Sequence, residues 1–474
     1  MDAIKRARPA ARGPRQRALR PLYGTALVVG VALAPCAAHA APGSTQAGTL
    51  AQKHGHAGCV TLSGSAGACS KARALGAARS IAISADGKSV YVASPLDGLA
   101  VFDRDRGRGA LTQKAGRAGC VNDPVSHADR CMIAPATDAL HTVAVSPDGA
   151  SVYAGGLYGL SILNRFAGGA LAARPPGEGC VAEPASPEPC TPSATVDFPT
   201  AVAVASDGRN VYIGSPSADA ITIFDRDATG TLRQKADPEG CLSAKPTHGR
   251  CKSARWTGIA TLAISPDGRN VYVASRTGIS VLARDLVSGT LSHTGCISET
   301  GSGGRCANGK AMKSVISMTT SPDGRTLYAA SVNGDTVAVF DREASSGALT
   351  QKRGRAGCVS DTGTRGLCAN AKALTAPAAV TTSPDGRSVY VGTLNGIAVF
   401  NRNLVTGQLR QKRRRAGCVT ETGSGGLCEN GTAIRFIEDI AVSPDGDNVY
   451  AAASRSTGRE TGSRDSGVAI FDRR

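Results

Sequence analysis

An all-β fold built from seven like units is what the sequence predicts, and three observations predict it. The first is cysteine spacing: fourteen cysteines fall into seven pairs, Cys59/Cys69, Cys120/Cys131, Cys180/Cys190, Cys241/Cys251, Cys296/Cys306, Cys358/Cys368 and Cys418/Cys428, recurring about every 60 residues. The second is a Ser-Pro-Asp-Gly turn, or a close variant, between consecutive pairs, with aspartates at Asp86, Asp148, Asp207, Asp267, Asp323, Asp385 and Asp445. The third is local patterning. Each unit has four short stretches in which Val, Ile and Tyr alternate with small or polar residues, and no helical stretch. Two markers sharing one period and one count define an internal repeat. Four-stranded units repeated seven times predict a seven-bladed β-propeller with four antiparallel strands per blade.

Taken from the N-terminus, residues 1–40 stand apart from the repeat. Seven basic residues from Lys5 to Arg20 precede an apolar run, Thr25 to Ala34, and then Ala38-His39-Ala40. That order reads as a secretory signal cleaved after Ala40, which makes the mature chain exported: secreted, periplasmic or at the cell surface. Cys36 raises a lipid-anchored alternative, against which Pro35 stands where such a site favours a small residue. No later stretch approaches the roughly 20 apolar residues of a membrane span.

Residues 41–474 are expected to form one propeller, with blades at roughly 70–114, 132–174, 194–235, 254–293, 312–352, 373–412 and 433–474. In the first blade the strands read Ser80–Ser84, Ser89–Ser94, Leu99–Asp103 and Ala110–Lys114. The first turn carries its own mechanism: aspartate caps it and glycine takes the left-handed position of a type I turn with a bulge, preceded in most blades by a proline that presets φ. The last repeat holds only three strands, ending at Val468–Asp472. Its missing fourth lies at the other end, where Gly48-Thr49-Leu50-Ala51-Gln52-Lys53 matches Gly109-Ala110-Leu111-Thr112-Gln113-Lys114. The N-terminal strand is therefore expected to complete the last blade and close the ring.

Export also accounts for the cysteines. An even fourteen at spacings of ten or eleven suits one local disulfide per repeat in an oxidising compartment, and suits zinc poorly. Each bridge is expected to staple a loop and not the core, contributing roughly 2.5–3 kcal/mol in the chain-entropy account. The net charge of +17 falls to +11 over residues 41–474, which hold 47 basic and 36 acidic residues. With one tryptophan and 4% aromatics, stacking platforms for nucleic acid are missing, and no nucleic-acid partner is expected. No cofactor motif or metal-ligand spacing is present, so none is expected, and a monomer is expected.

Ser265-Pro266-Asp267-Gly268, then Val271-Tyr272-Val273-Ala274-Ser275 and Gly278-Ile279-Ser280-Val281-Leu282, resemble the YVTN-repeat and lactonase-like seven-bladed propellers over essentially all of residues 48–474. The cysteine loops are additional to the usual blade of that group. The resemblance implies the ring architecture and admits both binding modules and enzymes. His141 lies where lactonase-like propellers tend to carry a histidine before the turn. Ala139-Leu140 before it and Gly155-Gly156 after the second strand depart from the phosphogluconolactonase pattern.

Function must break the sevenfold symmetry. An arginine ends the third strand in every blade (Arg104, Arg165, Arg226, Arg284, Arg342, Arg402, Arg473) and is expected to pair with the turn aspartate as architecture. The start of each first strand, by contrast, should lie at the mouth of the central channel on the cysteine-loop face. That column reads Arg79, His141, Thr200, Ala260, Ile316, Ala378 and Glu438, and its neighbour Ser80, Thr142, Ala201, Thr261, Ser317, Ala379 and Asp439. Ring closure makes blades seven, one and two neighbours. Glu438, Asp439, Arg79 and His141 are thus expected to converge, as candidate base, proton shuttle and oxyanion stabiliser or as an ion-pair cluster sealing the channel. The long loop Ser454 to Gly467 is placed to cover the same sector as a lid.

Two functional expectations follow. The leading one is an exported, disulfide-stapled scaffold whose cysteine-loop face binds a small molecule, polymer or protein partner, with pre-organisation lowering the cost of binding. The other is a lactonase-like hydrolase or isomerase acting at His141, Glu438, Asp439 and Arg79.

Overall fold

A computed structural model describes residues 47–123, 130–454 and 466–474. The expected secretory signal with its cleavage after Ala40, Cys36, and most of the expected lid loop lie outside the described residues. Gln46–Arg474 form one unit of seven small sheets, with almost no helix beyond single 3-10 turns. Successive inner strands pack side by side around the ring, and the inner strand of blade seven, Ile437–Val442, meets that of blade one, Ser80–Ile83.

Blade one sets the pattern. Ser80–Ile83 pairs antiparallel with Ser89–Ser94, which pairs with Gly98–Arg104. The turn between the first two strands closes as its residues dictate: Gly87 takes φ 67°, its N–H donates to Ser84 O at 2.8 Å, and Lys88 N donates to Asp86 Oδ1 at 3.0 Å. Val90, Val92, Ala100 and Phe102 are wholly buried on one side of the blade, and Tyr91, Leu99 and Val101 on the other. The core therefore lies between blades, one apolar cluster per neighbouring pair.

The blades hold more strands than four. The outer strand comes in two pieces, Leu111–Gln113 and Cys120–Asn122, both antiparallel to the third strand and separated by the 3-10 turn Gly116–Gly119. The cysteine loop then doubles back, so that Met132–Ile133 adds a short parallel strand to Cys120–Asn122. Six sheets have six strands on this plan and blade four has five. The difference has a plain cause: pieces of two or three residues carry too little alternation to register as strands.

All seven expected disulfides are formed: Cys59–Cys69, Cys120–Cys131, Cys180–Cys190, Cys241–Cys251, Cys296–Cys306, Cys358–Cys368 and Cys418–Cys428. The expectation that they staple loops alone needs correction. Cys120 is fully buried and pairs in register with Ala100 of the third strand, while Cys131 directly precedes the parallel piece Met132–Ile133. Cys69, Cys190, Cys251, Cys306, Cys368 and Cys428 likewise each stand immediately before the short parallel strand of their blade. Every bridge therefore ties the outer strand of a sheet to its parallel addition. Cys69, Cys131, Cys251, Cys368 and Cys428 are buried, whereas Cys190 and Cys306 are partly exposed. Seven such bridges are the mark of an oxidising environment. No helix among the described residues is long and apolar enough to cross a membrane.

The N-terminal strand closes the ring. Leu50–Gln52 pairs antiparallel with Gly467–Arg473 of blade seven, and Cys59–Thr61 continues the same outer strand.

The arginine column forms the expected pairs, with one correction. Each arginine reaches the turn aspartate of the preceding blade, not its own: Arg104 to Asp445, Arg165 to Asp86, Arg226 to Asp148, and so round to Arg473 and Asp385. Its own turn receives a bond to the glycine carbonyl, as Arg104 Nη1 to Gly87 O at 3.0 Å. A tyrosine completes the lock. Arg104 Nε donates to Tyr450 Oη at 2.7 Å, and that hydroxyl donates to Gly109 O at 2.7 Å. Burial pushes Tyr450 up to about 12. At Asp86, burial opposes ionisation, but donors from Ser84, the Lys88 backbone and Arg165 outweigh it and hold the carboxyl at about 2. This end of every blade is thus committed to holding blades together.

Candidate active site at the channel mouth

The opposite end of the inner strands carries the asymmetry. Ser80 pairs with Ala93 at the end of the second strand, and Leu99 at the start of the third pairs with Val121 beside Cys120. The starts of the inner strands therefore open on the cysteine-loop face. A cavity of about 450 Å³ lies there on the ring axis. All seven residues of the first column line it, from Arg79 and His141 to Glu438, together with six of the second column, from Ser80 to Asp439. Its ionisable side chains are Arg79, His141, Glu438 and Asp439, all from blades seven, one and two; the remaining sectors present Thr200, Thr261, Ser317 and apolar groups from alanine to isoleucine.

A backbone corner aims this column, and no sequence signal had marked it. Two residues before each column position the chain is left-handed: Ala77 (φ 63°), Ala139 (45°), Phe198 (51°), Gly258 (61°), Ser314 (59°), Ala376 (45°) and Phe436 (53°). Six of the seven are not glycine, and each such residue stores strain on the order of 1 kcal/mol. The corner turns the chain sharply into the inner strand, so that the next residue but one faces the channel.

His141 is half-buried, with its ring edge-on to Phe198 at 4.7 Å between centroids. Its Nδ1 lies 2.7 Å from Ala139 O. A carbonyl only accepts, so Nδ1 carries the proton and Nε2 of the neutral ring is left as an acceptor. Burial, reinforced by the Arg79 charge, holds the imidazole below its usual range, while the Ala139 carbonyl and Glu438 pull the other way. The ring is accordingly neutral near pH 7 and fitted to take a proton. Glu438 receives a hydrogen bond from Ser454 Oγ at 2.7 Å. Arg79 is exposed, and no side-chain hydrogen bond or ion pair engages its guanidinium among the described residues.

Asp439 is arranged differently. Its Oδ2 accepts from Ile81 N at 3.0 Å and Ser80 Oγ at 3.2 Å, and its Oδ1 from Ile440 N at 2.8 Å. Although part of the residue faces the channel, burial of the carboxyl pushes its pKa up against those donors. Ser80 Oγ in turn accepts from Val143 N at 3.3 Å, so one short network runs through blades seven, one and two. The four candidates thus share one cavity, with Asp439 engaged in tying the blades and the other three turned to the open space. The expected ion-pair seal is not formed among the described residues. Of the expected lid, Ser454 and Ser466 bracket the residues outside the described set.

Residues 238–362 match the sequence profile of the family described as "Lactonase, 7-bladed beta-propeller". No curated protein matches the chain. Among solved structures it is similar to a putative 6-phosphogluconolactonase from Bacteroides uniformis, with 19% identity, 70% of this chain and 82% of that chain covered, and a TM-score of 0.48. It is similar as well to a periplasmic gluconolactonase from Pseudomonas aeruginosa, with 21% identity over 57% of this chain and 68% of that one, and a TM-score of 0.38. With its seven small sheets in a closed ring the chain is a seven-bladed β-propeller, and across blades four and five it is similar to the lactonase family of such propellers.

Proposed function

We propose that the protein is an exported hydrolase of lactone-like cyclic esters, working at the channel-mouth cavity between blades seven, one and two. One observation carries the reading: the ionisable groups of an otherwise hydroxyl-lined and apolar cavity collect in one sector, and three of the four, Arg79, His141 and Glu438, stand open to it instead of neutralising one another. The family match over residues 238–362 supports the reaction class. The threonine and serine hydroxyls on the far wall suit a polyhydroxylated, sugar-derived ring.

In this reading His141 Nε2 takes a proton from water as the water oxygen adds to the lactone carbonyl. Arg79 faces the oxyanion that forms, and Glu438 favours the imidazolium across the cavity. Collapse of the tetrahedral intermediate breaks the ring acyl C–O bond. The imidazolium returns its proton to the departing alkoxide, and one water has been consumed for one hydroxy acid formed. Asp439 is a positioning residue that keeps the three inner strands in register. The N-terminal segment directs export in the same proposal.

The binding-scaffold reading retains one specific support, the disulfide in every blade, which makes the cysteine-loop face rigid. Ring opening of sugar and simple lactones, followed by pH-stat, separates the two. Turnover lost in a folded His141→Ala/Glu438→Ala variant supports hydrolysis at this site. Turnover kept by the variant places the chemistry elsewhere, and no turnover on any lactone returns the scaffold reading.

A further inference from the structure

Blade four lacks a piece that the other blades have. From the leucine that opens the outer strand to the first cysteine the spacing is nine residues in six blades, as from Leu111 to Cys120, but five in blade four, from Leu291 to Cys296. The outer strand there runs unbroken as Leu291–Ser298, with no 3-10 turn in it.

In blades one and five that turn is half of a clasp. Gln113 Nε2 donates to Arg73 O and to Gly119 O at 2.9 Å each, and Arg73 N donates to Gln113 Oε1 at 2.9 Å. The Arg73 guanidinium is held by Gly116 O at 2.7 Å and Arg130 O at 2.8 Å. Gln351 and Lys310 repeat the arrangement, with Lys310 Nζ on Gly354 O at 2.8 Å. By position in the repeat, blade four puts His293 where the glutamine stands and Arg255 where the clasped cation stands, and the stretch that supplied the Gly116 and Gly354 carbonyls is gone.

The result is a cavity of about 770 Å³ lined by Arg255, His293 and Arg305, with Trp256 in its wall and the hydroxyls of Ser280 and Thr294 at its side. None of its lining residues is acidic. No side-chain hydrogen bond or ion pair engages Arg255, His293 or Arg305 among the described residues. The corresponding cavity of blade three, about 680 Å³, includes Asp237 among its basic groups. Two unengaged guanidinium groups in a concave site without a carboxylate concentrate positive potential and match oxyanions two bonds at a time, while burial and the Arg255 charge hold His293 below its usual range and leave it a neutral hydrogen-bonding neighbour. The volume suits a ligand the size of a monosaccharide.

We infer that blade four holds a binding site, separate from the channel mouth, for a small polyol bearing a single carboxylate or phosphate, with Arg255 and Arg305 on the oxyanion and His293 beside it. The site does not depend on the hydrolase reading. Trp256 is the only tryptophan of the chain, so the tryptophan fluorescence comes from a ring in the wall of this cavity.

The test titrates the full-length mature protein with gluconate, with glucose 6-phosphate and with neutral glucose. The inference expects a saturable change with at least one of the two anions and none with glucose; which anion acts identifies the carboxylate or phosphate source. Arg255→Gln/Arg305→Gln is expected to weaken the response at least tenfold with an unchanged circular dichroism spectrum. Should that pair fail to fold, His293→Gln, which restores the glutamine of blades one, five and six, serves with single Arg255→Gln. His141→Gln is expected to leave the response intact, which separates this site from the channel mouth. No saturable response to either anion, an equal response to glucose, or undiminished affinity in the arginine variants would each overturn the inference.

Discussion

Replacing Asn401 by aspartate isolates one electrostatic contact that four blades make and blade six lacks. Lys53, Lys114, Lys235 and Lys352 each pair with an aspartate on the adjoining third strand, Asp472, Asp103, Asp225 and Asp341. At the same position Lys412 meets the neutral Asn401 Oδ1 and the Ala47 carbonyl. Lys412 is only 5% exposed. Burial, and then the Arg473 charge, push its pKa down from 10.5 to about 8. That gap corresponds to roughly 3 kcal/mol against the protonated lysine at neutral pH. The partner carboxylates elsewhere are about half exposed (54% for Asp103, 59% for Asp341), so solvent screens the pair. Asn401→Asp is therefore expected to recover about 1 kcal/mol.

The sign of the pH dependence follows from the direction of the shift. The folded pKa lies below the unfolded one, so between pH 8 and 10.5 the unfolded chain binds more protons. The penalty on the native protein is whole below pH 8 and fades as pH rises through that window. The advantage of Asn401→Asp should accordingly be largest at pH 7 and shrink towards pH 10, with all other titrating groups cancelling in the difference. Urea unfolding of both proteins, followed by Trp256 fluorescence from pH 7 to 10, measures it. A variant no more stable than the native protein at pH 7, or an advantage independent of pH, would refute the reasoning.

Three further outcomes are expected. Asp439→Asn turns an amide N–H₂ towards donors that now meet a carboxylate, and should cost about 1–3 kcal/mol in urea unfolding, whereas Glu438→Gln should stay within about 0.5 kcal/mol of the native protein. Tyr450→Phe removes a hydroxyl that both receives Arg104 and donates to Gly109, and should lower stability by about 1–2 kcal/mol in the same assay. Under limiting reductant, alkylation and peptide mapping should find Cys296 and Cys306 first, because both are partly exposed while the first cysteine of each other blade is buried.

Much of the ring was legible because its determinants are local and repeated. Cysteine pairs, turn aspartates and the match of Gly48–Lys53 to Gly109–Lys114 each depend on a few adjacent residues. What escaped depends on the closed ring or on weak local signals. Arg104 and Asp445 are 341 residues apart, and only the offset between neighbouring blades decides that the arginine takes the previous aspartate and not Asp86. The pairing of Cys120 with Cys131 could be read from spacing, but not the two-residue strand that Cys131 introduces, which is too short to show a period. The channel-mouth column could be read because strand alternation and ring order place it. The left-handed corners that aim it could not, since Ala139, Phe198 and Phe436 are poor markers of positive φ and only Gly258 fits the usual signal. Asp439 was grouped with Glu438 by adjacency. Consecutive strand residues point to opposite sides, and a bulge at the start of that strand alters the local alternation, which leaves their surroundings unlike.

The most direct measurement for the channel-mouth site is the pH dependence of kcat/KM for lactone ring opening, corrected for spontaneous hydrolysis, in the native protein and in His141→Gln. A neutral His141 acting as base predicts a plateau near pH 7 and an acid limb centred below 6.5, with kcat/KM lowered about 10²–10⁴-fold in the variant. An acid limb unchanged in His141→Gln, or a rate equal to that of the native protein, would contradict the account.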